Sequence, residues 1–147
     1  KKYFQYVAND FTQLNSDVIR SFIKEYFKNE QVDYIQLLSG DIDFHAHTMI
    51  NVGVKQNLFH KEQNCDVFPD VTNILFRGTL DYGKKVKVSN NWRIWHINDD
   101  DFTYVGNLTG KNRESEIGIV MPPTAIVERI KTGKFNFVYP DLNNELI

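Results

Sequence analysis

Glu116-Ile117-Gly118-Ile119-Val120-Met121-Pro122-Pro123, followed by Ala125-Ile126-Val127-Glu128-Arg129-Ile130-Lys131-Thr132-Gly133-Lys134-Phe135, is the stretch whose reading decides the fold class. Ile117 to Met121 has the composition of an apolar strand. Pro122-Pro123 then sets the entry to a helix, because the fixed φ of proline suits a first helical turn. Gly133 fits the C′ position after Lys131, where a left-handed residue closes a helix. Strand, tight turn and capped helix in succession point to an α+β domain. None of these residues brings catalytic chemistry with it.

The whole chain agrees with that class. Its 147 residues are the size of one domain, so residues 1–147 are expected to form a single unit that buries roughly two-thirds of its unfolded surface. Eleven Phe, seven Tyr and two Trp, with few Ala, favour sheet over helix bundle. Seventeen basic and nineteen acidic residues leave a formal charge of −2. There is no basic stripe to neutralise phosphates, which argues against nucleic acid as a ligand. Lys1-Lys2-Tyr3-Phe4-Gln5-Tyr6 turns polar too soon for a signal peptide or a membrane span, so a cytoplasmic location with no membrane partner is expected. The lone Cys65 excludes an internal disulfide and reads as a bystander thiol.

Tyr3 to Val7 reads as a first strand ended by Asn9-Asp10. Ile19, Phe22, Ile23, Tyr26 and Phe27 fall at helical spacing, with Ser16 as N-cap and Asp17 in the first turn, which predicts a helix with Arg20, Lys24, Glu25 and Lys28 on its solvated face. Val32 to Leu38 reads as a strand ended by Ser39-Gly40, and Asp41 to Val54 alternates for most of its length. Phe59 to Asp70 is turn-rich, and Ile74 to Leu80 returns to strand composition. Trp92 to Asn98 and Phe102 to Leu108 form a hairpin about Asp99-Asp100-Asp101, and Gly110 to Glu116 reads as a charged, mobile connection. The expected architecture is a mostly antiparallel, strongly twisted sheet or partly open barrel with two helices, at about residues 17–28 and 123–132.

As a strand, Asp41-Ile42-Asp43-Phe44-His45-Ala46-His47-Thr48 puts Asp41, Asp43, His45 and His47 on one face. Two imidazoles at i and i+2 can chelate one metal, with Asp43 or another strand supplying a third ligand. That arrangement resembles the first metal motif of the cupin barrels, in which His-x-His is followed by a Glu. Here Thr48 to Val52 contain no carboxylate, and a half-buried strand with a hydrogen-bonded polar face is the competing reading. Trp92-Arg93-Ile94-Trp95-His96-Ile97 is apolar on both faces, as a central strand covered on both sides would be. His60 and His96 have no local nucleophile or acid arrangement of a hydrolase. Asp99, Asp100 and Asp101 form a like-charge turn that is either simply solvated or a docking point for a basic partner, with Arg113, Glu114 and Glu116 on the next charged connection.

Several ordered segments carry a resemblance: Asp43 to Ile50 with Gly53-Val54-Lys55, Trp92 to Asn98, Glu116-Ile117-Gly118, and Ile126 to Phe135 with Tyr139-Pro140. Together, from about Tyr3 to Pro140, the chain resembles the immunity proteins of bacterial polymorphic-toxin systems, the family numbered twenty-six. The resemblance implies a small cytosolic protein encoded beside a toxin, with no catalytic residues and no cofactor, which neutralises that cognate toxin by binding it. The rival reading is a metal-dependent enzyme or cupin-like barrel using His45, His47 and Asp43.

Overall fold

The computed structural model describes residues 1–145. Strands β1 (Phe4–Asp10), β2 (Ser16–Phe22) and β3 (Ile42–Thr48) run antiparallel to their neighbours. Strands β4 (Leu75–Thr79), β6 (Trp92–His96) and β7 (Thr103–Gly106) do the same in a second sheet. Each sheet is completed by a two-residue parallel strand: β8 (Glu116–Ile117) beside β4 and β9 (Val120–Met121) beside β3. The orders are β1-β2-β3-β9 and β7-β6-β4-β8, open at their edges, with a small parallel pair of β5 (Val88–Ser89) and β10 (Asp141–Leu142). Helices α1 (Tyr34–Leu38), α2 (Ile50–Lys55) and α3 (Pro123–Thr132) complete the α+β domain.

Ile117 to Met121 is thus two short strands rather than one, and the chain crosses between the sheets at Gly118-Ile119. Glycine permits the crossing. A Cβ on Gly118 would meet the Trp95 ring at 2.3 Å, and its N–H donates to Arg77 O at 2.8 Å. Beyond the crossing the sequence reading holds: α3 starts at Pro123 and stops at Gly133, whose φ of 79° is left-handed. The β6–β7 hairpin also forms, and β6 is covered on both faces. Trp92 lies near Tyr139 on one side and Trp95 stacks near Phe76 on the other, with both indoles buried.

The segment 17–28, expected as a helix, contains none: 17–22 belong to strand β2 and 23–28 are irregular. A strand that is central in its sheet and covered on both faces is apolar at nearly every position, so helical spacing can be picked out of it by accident. Val18 enters the core between the two sheets, Ile19 the core under α3, and Phe22 the core under α1. Ile23 and Phe27, which the helical stripe would bury, are 53% and 84% exposed. Arg20, expected in solvent, is buried, and donates from Nε to Gln5 Oε1 at 2.8 Å and from Nη2 to Leu38 O at 3.1 Å.

Three further local readings change. Val32 to Leu38 contains a helix rather than a strand, because Asp33 caps α1 by accepting from the N–H groups of Ile35 and Gln36. The alternation from Asp41 stops at Thr48, and α2 follows. The charged connection at 110–116 is an ordered 3₁₀ turn over Gly110–Glu114, held to the chain's end by a 2.9 Å hydrogen bond from Arg113 Nη1 to Asn143 O.

Candidate functional site

The polar row on β3 does not act as one group. Asp43 pairs with Arg129 Nη2 at 3.1 Å, and that guanidinium also lies over the rings of Phe44 and Phe135. His45 sits across from Arg20; burial, helped by that positive charge, pushes its imidazole pKa down to about 4. Its backbone N–H donates to Glu116 Oε2. Burial raises the Glu116 carboxyl pKa, against the opposing pull of that N–H and of Arg129 and Arg77. His47 points into the space between the sheets and is wholly buried. Asp43 and His47 therefore have different side-chain partners, and His45 is held through its backbone. Among the described residues no three His, Cys, Asp or Glu side chains are gathered as a metal site.

His47 leads to a junction that sequence spacing did not signal. Asp10, at the end of β1 and fully buried, accepts from His47 Nε2 at 2.9 Å and from Trp95 Nε1 at 2.9 Å on one oxygen, and from Asn98 N–H at 3.1 Å on the other. A carboxylate can only accept, so His47 carries its proton on Nε2. Burial holds the His47 pKa down in spite of Asp10, which leaves a neutral ring whose Nδ1 has no partner among the described residues. The three donors come from β3, β6 and the β6–β7 turn. One carboxylate therefore ties β1 to all three.

The junction fixes what lies outside it. Phe11 N–H donates to Asn98 Oδ1 at 2.7 Å, and Gln13 Nε2 reaches Asp99 O at 3.4 Å, so the β1–β2 turn is fastened to the β6–β7 turn. Asn15 and Asn98 provide the left-handed backbone that the two turns require, at φ of 47° and 63°. The three aspartates then separate. Asp99 accepts from His96 N–H at 2.8 Å and shapes the hairpin; Asp101 accepts from Phe102 N–H at 2.8 Å. Asp100 is exposed and makes no hydrogen bond or ion pair within the described residues. The same two turns carry Phe11, 69% exposed, and Phe102, which Arg93 covers at 4.7 Å.

Of the six residues expected at a partner surface, Asp99, Asp100 and Asp101 share this one. Glu116 is turned inward at the opposite edge of the sheet, Arg113 is engaged by the chain's end, and Glu114 is exposed on the 3₁₀ turn. The sequence marks Phe11 only as an aromatic directly after the turn residues Asn9-Asp10, which does not by itself point to a site. No protein-family model, curated protein or solved structure matches the chain significantly. Among the described residues no helix is long and apolar enough to cross a membrane.

Proposed function

We propose that the protein is a non-catalytic binding module that neutralises a cognate toxin by covering it, as the resemblance to polymorphic-toxin immunity proteins implies. The observation that carries this reading is the pair of turns held by Asp10, one carrying exposed Phe11 and the other the free carboxylate of Asp100. Two hydrogen-bonded turns on a buried anchor are ordered before any partner arrives, so association loses little further conformational entropy. Phe11 supplies an aromatic anchor of the kind that dominates interface energies. Asp100 and Asp101 favour a basic surface, chiefly by speeding and orienting encounter.

The test is association with the toxin encoded beside the gene. Phe11→Ala should accelerate dissociation, by about 30-fold if Phe11 is a hot spot worth about 2 kcal/mol. Asp100→Asn with Asp101→Asn should instead slow association, by a factor that shrinks as salt is raised. Unchanged rates in both variants would move the interface off these turns.

A further inference from the structure

Gln5, Arg20 and His45 lie side by side across the first sheet, Arg20 being paired with Gln5 on β1 and with His45 on β3. Directly opposed residues of neighbouring strands share a face, so the three side chains form one polar row. Arg20 is 8% exposed, and two of its nitrogens spend their protons on neutral oxygens, Gln5 Oε1 and Leu38 O. Gln5 is fixed in turn from its other side, where its Nε2 donates to Val67 O at 2.6 Å. The Phe22 ring lies 5.1 Å from the guanidinium. No carboxylate among the described residues forms an ion pair with Arg20. The acids of this region are spent elsewhere, Asp43 on Arg129 and Glu116 on the His45 N–H.

A buried cation without a counter-ion is costly, and an arginine cannot escape that cost by giving up its proton. Beside this charge stands His45 instead of an acid, half-buried and bonded through its backbone, with neither ring nitrogen bonded to a described residue. Arg20 is the charge that acts on this ring, and Glu116 reaches its backbone. Arg20 Nη1 likewise has no partner among the described residues, and it is not sealed from solvent. The row thus ends in unspent hydrogen-bonding capacity around one uncompensated positive charge, where an outside group can reach it.

We propose that Arg20 and His45 form a binding site for a carboxylate group, one oxygen taken by Arg20 Nη1 and the other by the His45 ring. The carboxylate supplies the single counter-charge that the fold omits, and both of its oxygens accept. A phosphate dianion brings a second charge and a third oxygen, for which the row has no donor. Once bound, the anion favours the imidazolium over the neutral ring, so ligand and proton reinforce each other. The site does not depend on the function proposed above: Arg20 stands in the second half of β2, away from the turn that carries Phe11.

The test is an NMR titration with formate, with neutral formamide and an equal concentration of chloride as controls. Formate should shift the Arg20 Nε–H and His45 ring signals saturably, and formamide should bind at least about tenfold more weakly. Saturating formate should raise the His45 pKa, about 4 in the free protein, by about one unit or more. Arg20→Met should abolish the response, with a thermal melt to show that the variant is folded. His45→Leu, which removes a ring without a hydrogen bond of its own, should weaken formate about tenfold and leave the melt at neutral pH unchanged. No saturation, an equal response to formamide or chloride, or a His45 pKa that stays in place while formate binds overturns the assignment. Repeating the titration with the toxin bound separates the sources of the carboxylate. Formate excluded means that an Asp or Glu of the partner fills the site, and formate still bound means a free carboxylate. A toxin that does not bind at all removes the first source and leaves the site to the second.

Discussion

The carboxylate of Asp10 is wholly buried and accepts from His47, Trp95 and Asn98, whereas that of Asp100, on the turn Asp10 holds in place, is exposed and accepts from no group within the described residues. The same chemical group thus serves opposite ends. A buried carboxylate is tolerable only when its lone pairs are met by donors, and meeting them fixes the elements that supply the donors. An exposed carboxylate keeps its hydration, contributes little to stability and is available to a partner. Rigidity is concentrated at Asp10, while Asp100 and Phe11, on the turns it holds, stay exposed.

The largest effect should come from Asp10→Ala, which strands three donors in the interior and should cost on the order of 3–5 kcal/mol. Urea denaturation measures it, and toxin binding should be lost with it because the two turns are no longer fastened. A cost under about 1 kcal/mol would break the contrast. The same opposition recurs between adjacent residues of the misread segment. Phe22→Ala should leave a cavity costing about 3 kcal/mol or more, and Ile23→Ala at its exposed neighbour under about 1 kcal/mol. Equal costs would restore the helical stripe.

A third prediction concerns pH. The His45 imidazole is held at about 4, against 6.5 unperturbed. The unfolded chain therefore binds a proton in that interval that the folded chain refuses, so stability is intact above pH 6.5 and declines as pH falls towards 4. The full interval corresponds to about 3 kcal/mol. His47, also depressed, acts in the same direction, and Glu116, raised by burial, partly offsets both because acidification relieves its buried charge. His45→Gln should flatten the decline of the urea midpoint between pH 6.5 and 4; a curve parallel to that of the wild type would refute it. The smallest expected effect is at the exposed pole. Asp100→Asn with Asp101→Asn should change stability by no more than about 0.5 kcal/mol, as thermal melts would show, while slowing toxin association at low salt.

Where the local rules carried the reading, the reason is visible in the residues. Pro123 and Gly133 act through their own backbone preferences, so α3 was legible to within its caps. The hairpin at 99–101 was legible because an acidic turn separates two apolar runs. Segment 16–22 failed for the converse reason: Val18, Ile19 and Phe22 enter three different cores, so burial on both faces erased the alternation that marks a strand. On β3 the alternation was read correctly, but alternation says which side chains share a face and not which partner each one meets.

The sequence by itself determined the α+β class, the capped final helix, the hairpin and the shared face of His45 and His47, because each depends on dihedral preference or periodicity over a few residues. Only the tertiary structure decided that β2 is a strand, that Gly118 lets one short run serve two sheets, and that Phe11 meets Asn98 across 87 positions. Such contacts depend on how the sheets stack against each other. That stacking is set by the summed burial of many side chains, and no window of sequence contains it.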